Sequence, residues 1–177
     1  MIAEHGSDHL RMTDLAARTG MPMGSIYQYF PDKSAILREL AQRFMARISA
    51  GLTAQFAGMT TWPQAMAAVD TGLCAYYALF RAEPVMRDIW CGTQADKLIA
   101  DLDIADSRTN AAILYTALRG LMAPAHHPAL ATDCLLLTHL AGAAVRFAVA
   151  LDVAEGDAVF AAWRRTVVCM LQSYANR

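Results

Sequence analysis

The chain has 177 residues, of which 56% are hydrophobic and 18% are charged, and its formal net charge at pH 7 is −1. This length and composition are enough for a well-filled hydrophobic core and exclude a disordered chain. The near-neutral charge excludes a uniformly basic nucleic-acid-binding protein. A small DNA-reading module with its basic side chains on one face remains compatible with it.

Helical periodicity extends over nearly the whole chain, and no window shows the period-two alternation expected of a β-strand. The first elements are two short predicted helices, over Met12–Thr19 and over Met23–Phe30. Asp32 is a suitable N-cap for a third, long helix that continues to about Gly58, with its apolar residues on one stripe.

Proline marks the start of the next two predicted helices, which cover about residues 63–82 and 84–92. A long helical segment follows over about residues 94–122. Residues 103–107 give a weak signal for a helix break, and the pattern alone does not show whether the helix ends there.

The last two predicted helices run from about Leu130 to Asp152 and from Asp157 to Ala175, after a loop over residues 123–129. These elements together predict an all-α chain. We expect a small N-terminal module, residues 1–45, joined rigidly to a larger helical bundle, residues 46–177.

The first two helices have the features of a pair that crosses at a tight turn. Ala16 is small enough to let the second helix approach, and Gly20 lies where the first helix must end in a left-handed residue. The apolar contacts between the helices are expected from Leu15, Met21 and Ile26. This pattern predicts a helix-turn-helix, whose second helix reads the major groove of DNA.

The run LAARTGMPMGSIYQYFPDKSAIL, residues 15–37, resembles the DNA-binding signature of the TetR family of transcriptional regulators. In that signature a glycine, a turn of small residues, an aromatic Y-x-Y/H-F motif and a lysine one turn later recur together. The resemblance covers roughly Ile2 to Leu40. It implies a C-terminal bundle that binds a small effector and forms a homodimer, and hence a ligand-responsive regulator, most simply a repressor, on a palindromic operator.

The resemblance also implies which side chains contact DNA. Tyr27 and Tyr29 are expected against the sugar-phosphate backbone or a thymine methyl group, and Lys33 against a phosphate near the helix amides. Gln28 can pair with adenine through two hydrogen bonds, whereas Phe30 is expected to turn into the core. The full expected set is Thr13, Met23, Gly24, Ser25, Tyr27, Gln28, Tyr29 and Lys33.

The start of the chain departs from the family pattern in two places. The opening MIAEHG matches only the last turn of the family's first helix, so either further residues precede this sequence or the module is incomplete. Pro22 replaces the usual Ser or Thr cap, which costs no hydrogen bond in a first turn. The first departure keeps one alternative open, a helical small-molecule-binding dimer without DNA-binding activity.

The resemblance places the dimer interface on the last two helices and the effector in the bundle. Candidate interface residues, which could equally pack within their own chain, are Leu136, Leu140, Phe147, Phe160, Trp163, Val167 and Met170. Candidate effector contacts are Tyr76, Tyr77, Phe80, Met86, Trp90, Tyr115, Arg119 and Met122. Each of these is individually more typical of core packing, but together they suggest an apolar cavity for a hydrophobic or aromatic ligand.

No pattern in the sequence indicates catalysis, a cofactor or a metal site, and we expect a protein that is not an enzyme. The cysteines Cys74, Cys91, Cys134 and Cys169 form no CxxC pair and are expected as buried thiols in a reducing compartment. The opening residues lack the apolar segment of a signal peptide, and the most apolar stretch is short and polar for a membrane span. We therefore expect a cytoplasmic protein without membrane association.

Overall fold

The computed structural model describes residues 1–92 and 97–175, and within them every regular element is helical. This confirms the predicted all-α class. The helices are α1 (Ile2–His5), α2 (Met12–Thr19), α3 (Met23–Tyr29), α4 (Lys33–Phe56), α5 (Trp62–Ala82), α6 (Pro84–Gly92), α7 (Lys97–Arg119), α8 (His127–Ala150) and α9 (Val153–Gln172), with a 3₁₀ turn at Pro124–His126.

Helix α4 belongs to both parts of the chain. Asp32 caps it, since its Oδ1 accepts a hydrogen bond from the backbone N–H of Ala35 at 2.7 Å. With 24 residues it is about 36 Å long at 1.5 Å per residue. The predicted boundary between residues 45 and 46 falls inside this helix and stays a prediction.

Helix α7 runs without interruption through residues 103–107, so the weak break signal there does not mark a helix end. The Ser107 hydroxyl donates to the Asp103 carbonyl at 2.8 Å, a bond between successive turns of the same helix. Gln94, the predicted start of this helix, lies outside the described residues.

The boundaries of the last two helices differ from the predicted ones. Helix α8 begins at His127, inside the predicted loop 123–129, because Pro128 is compatible with a first helical turn. Helix α9 begins at Val153, where Asp152 accepts a hydrogen bond from the Glu155 N–H at 3.0 Å. Gly156 lies in its first turn, where a Cβ would collide with the Ala148 carbonyl, so this glycine permits close packing and does not break the helix.

Two groups of buried side chains form the core. One contains residues of α4, α5, α6, α7, α8 and α9 together with Leu10, which precedes α2. The other contains residues from the C-terminal end of α4, the N-terminal half of α5 and the C-terminal half of α7. The N-terminal half of α8 and the C-terminal end of α9 complete it. Trp163 packs against both groups, so they form one connected interior.

The N-terminal helices are attached to the bundle through α6. The backbone N–H of Ser7 donates to Asp88 Oδ2 at 2.7 Å, and Gly6 at φ 79° allows the chain to turn there. The attachment joins the α1–α2 loop directly to the larger bundle.

The described cysteine side chains are free thiols, and their burial varies. Cys134 is buried and Cys74 is half-buried, but Cys169 is exposed, which corrects the expectation of uniformly buried thiols. The Cys91 side chain lies outside the described residues.

Candidate DNA-reading surface and ligand cavity

Helices α2 and α3 meet at the turn that the sequence predicts. Gly20 ends α2 in the left-handed conformation, at φ 67° and ψ 11°. The Thr19 hydroxyl donates to the Leu15 carbonyl at 2.8 Å and accepts from the Met21 N–H at 3.4 Å, which stabilises the turn. Ile26 is only 3% exposed and anchors α3 from its inner side.

The outer side of α3 presents polar and aromatic groups to solvent. Tyr27 is 47% exposed and Tyr29 is 73% exposed, although both are large rings that a core would normally enclose. Gln28 and Gly24 are also exposed. Of the other residues in the expected DNA-contacting set, Thr13 is exposed, whereas Met23, Ser25 and Lys33 are half-buried. DNA contact by each residue stays a prediction.

Phe30 is only half-buried at the end of α3 and is absent from both groups of core residues. The buried anchor of this helix is Ile26 instead. Phe30 was expected to turn into the core; its ring is half-buried and thus less enclosed than the side chain of Ile26.

The basic side chains of the N-terminal module differ in whether a carboxylate pairs with them. Arg18 holds Glu4 through two hydrogen bonds, of 2.6 and 3.0 Å, and these bonds lower the pKa of Glu4 to about 2. Among the described residues, the hydrogen-bond acceptor of Lys33 Nζ is the backbone carbonyl of Asp8, at 3.3 Å. Arg11, which the sequence analysis did not select, is exposed at the start of α2 and has no carboxylate partner among the described residues. No carboxylate of the described chain therefore competes with a phosphate for Lys33 or Arg11.

A cavity of about 420 Å³ lies between α4, α5, α7 and α8. Its apolar lining includes Ile48, Leu52, Leu73, Leu79 and Leu137, so an organic molecule would be surrounded mainly by aliphatic side chains. A volume of this size is within the range of small-molecule sites.

One wall of the cavity is polar and comes from successive turns of α7. Asp103, Asp106, Ser107 and Asn110 recur at helical spacing and line the same side. Ser107 and Asn110 are buried, although they are polar. The sequence signal for this wall was present, since polar residues three and four apart in an apolar helix form a stripe, but it resembled a helix break.

Hydrogen bonds connect this polar wall to the neighbouring helices. Asn110 Nδ2 donates to Asp106 Oδ2 at 2.9 Å, and Asn110 Oδ1 accepts from the Ser49 hydroxyl of α4 at 2.8 Å. Ser107 Oγ lies 3.1 Å from His139 Nδ1 of α8. The wall therefore joins α4, α7 and α8 across one end of the cavity.

The charges of the wall are only partly balanced. Arg146 of α8 lies 3.6 Å from the Asp103 carboxylate. Asp106 has no basic partner among the described residues, and burial together with the charge of Asp103 raises the pKa of Asp106 to about 6. Burial also raises the pKa of the Tyr76 hydroxyl, which faces the same cavity.

Of the eight predicted effector contacts, only Tyr76 lines this cavity. Tyr77 stacks on Phe160 with ring centroids 4.2 Å apart, while Phe80 and Met86 are fully buried in the core. Ligand binding by these side chains stays a prediction.

The remaining predicted contacts also lie away from the cavity. Trp90 packs edge-on against the rings of Phe44 and Phe80. Arg119 lies over the Tyr115 ring, with its Cζ 5.8 Å from the centroid, near the end of α7. Met122 packs against the second core group. Each of these contacts is one that core packing or surface pairing would produce.

Helix α8 has an apolar face that its own chain leaves uncovered. Leu136, Leu140 and Phe147 are 47%, 37% and 58% exposed and lie on one stripe of the helix. In contrast Phe160 and Val167 of α9 are buried in their own core, which corrects their candidacy as interface residues. Trp163 and Met170 are half-buried and pack against the second group of core residues.

By length and composition, the segment Pro124–Ala150 is apolar enough to cross a membrane, the one such segment in the described part of the chain. Only 28% of its most apolar window is buried inside the chain. Helices that pack in soluble proteins pass the same test, so the finding identifies an apolar face and not a membrane.

Comparison with known proteins identifies the class of the chain. Residues 1–40 match the family described as bacterial regulatory proteins, tetR family, and residues 63–175 match the tetracyclin repressor-like C-terminal domain. The second match alone covers more than half of the chain. The chain belongs to the TetR family of transcriptional regulators, and its N-terminal helices are the helix-turn-helix DNA-binding domain of that family.

A solved structure shares the fold. The crystal structure of a TetR-family transcriptional regulator from Pectobacterium atrosepticum superposes with a TM-score of 0.72, at 19% sequence identity, over 98% of this chain and 87% of that one. No curated protein matches the sequence significantly. Regulators of this family are soluble DNA-binding proteins that are generally not enzymes, which is consistent with a cytoplasmic location.

Proposed function

We propose that the protein is a ligand-responsive transcriptional repressor that binds a palindromic operator as a homodimer. The observation that carries the proposal is the continuity of α4. This helix begins at Lys33 beside the exposed face of α3, and its residues 47–56 form a wall of the cavity. One rigid element thus connects the DNA-reading surface with the ligand site.

The DNA-reading role rests on the exposed face of α3. Tyr27, Gln28 and Tyr29 extend outward from a helix that Ile26 holds in place, which is the arrangement a recognition helix needs in the major groove. Lys33 and Arg11 add positive charge at the edges of this face, where phosphates would lie.

The dimer rests on the uncovered face of α8. A stripe of large apolar side chains is costly to expose to water, and an antiparallel four-helix packing of α8 and α9 with a second copy would cover it. Two copies are also what a palindromic operator requires, since one helix-turn-helix reads a single half-site. The small effector and the operator DNA are then the partners, and no membrane is involved.

Ligand response follows from the wall that α4 shares with the cavity. A ligand between α4 and α7 would shift α4 and with it the helix-turn-helix of each subunit. Half-sites in successive major grooves lie about 34–36 Å apart, so a change of a few Å in the separation of the recognition helices prevents both from docking. We therefore expect ligand-bound protein to leave the operator.

The test is binding to the DNA upstream of the protein's own gene, measured by fluorescence anisotropy at several salt concentrations. We expect specific binding with a stoichiometry of two chains per site, and competition by that DNA far above competition by unrelated DNA. A folded dimer that binds neither DNA would reject the proposal and support the alternative, a small-molecule-binding dimer without DNA-binding activity.

A further inference from the structure

The cavity holds a carboxylate that no basic group of the described chain neutralises. Asp106 lines the cavity, is half-buried, and receives one hydrogen bond, from the Asn110 amide at 2.9 Å. An amide does not cancel the charge of a carboxylate. Partly buried charge without a counter-ion is unfavourable, and a cationic ligand would supply one.

The other charged groups of the cavity already have partners. Asp103 lies 3.6 Å from the guanidinium of Arg146. Arg47, at the α4 side of the cavity, lies 3.4 Å from the Glu83 carboxylate. Among the charged side chains that line the cavity, Asp106 is therefore the one without an oppositely charged partner in the described part of the chain.

An aromatic ring with an unused hydroxyl lies in the same cavity. Tyr76 of α5 lines the cavity, and its hydroxyl has no hydrogen-bond partner among the described residues. Burial raises the pKa of this hydroxyl, so it stays protonated and can donate. The face of a tyrosine ring also attracts an organic cation, most strongly where water is excluded.

We propose that the cavity binds an amphipathic organic amine, with the ammonium group paired to Asp106 beside Tyr76 and the apolar body against the aliphatic walls. The inference rests on the proposed ligand response and names the class of ligand for it. A hydrophobic carboxylate of the same shape is excluded, because its charge would repel Asp106 in a poorly hydrated space.

The high pKa of Asp106, about 6, is consistent with this assignment, since it reflects burial and the neighbouring charge of Asp103 without a compensating cation. At pH 7.5 the carboxylate is mostly ionised and available to an amine. An ammonium ion placed next to it would favour the ionised form further.

The experiment uses three probes of one shape: 3,3-diphenylpropylamine, 3,3-diphenylpropan-1-ol and 3,3-diphenylpropionate. Binding of each to the wild-type dimer is measured by isothermal titration calorimetry at pH 7.5, without DNA. We expect the amine to bind at least about tenfold more tightly than the alcohol, and the carboxylate to bind more weakly than the alcohol. Equal affinities, a preference for the carboxylate, or no binding of any probe would overturn the inference.

Two variants locate the charge that selects the amine. Asp106→Asn keeps the shape of the side chain and removes its charge, so the preference for amine over alcohol should fall to about one, with the alcohol's affinity unchanged. Asp101→Asn is the matched control, since Asp101 is exposed on the same helix and outside the cavity. It should bind all three probes like the wild type.

The result is separable from the proposed function. If Asp106→Asn leaves the amine preference intact, the pairing of the amine with Asp106 is wrong, even when the protein binds its operator. If the amine binds through Asp106 and the protein binds no DNA, the cavity assignment stands and the repressor role fails.

Discussion

We expect the side chains of Lys33 and Gln28, which belong to one small module, to make different kinds of contact with DNA. A lysine neutralises a phosphate, which every sequence carries, whereas a glutamine amide can discriminate adenine by two hydrogen bonds. Lys33 begins α4 and Gln28 lies exposed on α3, so both can reach a duplex docked on that face.

We expect Lys33→Ala to weaken operator and non-specific DNA by similar factors and to lower the slope of log affinity against log salt by about one unit. Lys97→Ala is the matched control, because it removes the same charge from an exposed site at the start of α7. Anisotropy titrations over a salt series measure both. An unchanged salt slope in Lys33→Ala would contradict a phosphate contact.

Gln28→Ala should instead lose roughly 1–3 kcal/mol on the operator alone and relax the preference at one base pair, with non-specific binding unchanged. Its melting temperature should stay within a degree or so of wild type, because the side chain is exposed. Binding to a set of single-base operator variants measures the change. Equal losses on operator and unrelated DNA would assign Gln28 to the backbone.

Asp106 makes stability depend on pH with a definite sign. Its pKa is raised from 3.8 to about 6 in the folded protein, so between these values the folded state binds more protons than the unfolded state. The free energy of unfolding should therefore increase through Asp106 as pH falls from 7 to 5. The contribution is at most about 3 kcal/mol and smaller in practice, because the side chain is only partly buried.

The comparison that isolates this group is Asp106→Asn against wild type, by urea denaturation at pH 7 and pH 5. Relative to wild type, the variant should be more stable at pH 7 than at pH 5, since the other titrating groups cancel in the difference. A stability difference that is the same at both pH values would show that Asp106 is not destabilised by its surroundings.

At the scale of the element, helix-turn-helix and cavity differ in how far the sequence predicts them. Gly20, Ile26 and the aromatic residues of α3 act on neighbours within a few turns, so the local pattern specifies the turn and the exposed face. The cavity wall is composed of residues from α4, α5, α7 and α8 together with Val167 of α9, and no local pattern shows which of their faces meet. Tyr77 and Phe80 accordingly pack in the core, one and four residues from the cavity-lining Tyr76.

The misplaced boundaries have the same origin. The predicted gap between Asp152 and Asp157 is absent: α9 begins at Val153, and Gly156 lies in its first turn, where α8 passes so close that no side chain would fit. The polar stripe of α7 was a weak break signal for a comparable reason: its partners, Ser49 and His139, come from distant parts of the sequence. In each case a contact distant in sequence outweighs the local propensity.

The prediction for the homodimer concerns the exposed apolar stripe of helix α8. Leu140→Asp places a carboxylate on the stripe of exposed apolar residues, where a second copy would bury it without a partner, and the dimer should lose several kcal/mol. The folded single chain should tolerate the change, since the position is 37% exposed there. Sedimentation at micromolar concentration, with circular dichroism to verify helicity, should detect a folded monomer.

Ile104→Asp is the matched control for this change. Ile104 is also an exposed apolar residue, but it lies on α7, outside the proposed interface. Its dimer should persist. A dimer that survives Leu140→Asp and is lost in Ile104→Asp would move the interface from α8 to α7.

At the scale of the whole molecule, α4 connects the DNA-binding domain with the cavity. Its first turn carries Lys33, and near its middle the Ser49 hydroxyl donates to Asn110 of α7, which in turn donates to Asp106. The α1–α2 loop is attached separately to α6 through Ser7 and Asp88. We expect a ligand that pairs with Asp106 to change the hydrogen bonds of Asn110 and, through the Ser49 hydroxyl, to shift the helix that positions α3.

Ser49→Ala tests this connection, because it removes the bond between α7 and α4 and leaves Asp106 in place. We expect 3,3-diphenylpropylamine to bind the variant within about twofold of wild type, and operator affinity without the amine to be similar. The decrease in operator affinity that saturating amine causes in wild type, about 5- to 150-fold for a typical coupling, should become several-fold smaller. Thr53→Ala is the control, since it removes a hydroxyl one turn along α4 that bonds only to the Ser49 carbonyl of its own helix. Loss of coupling in both variants would attribute the effect to α4 itself, and full coupling in Ser49→Ala would show that the change reaches the DNA-binding domain by another contact.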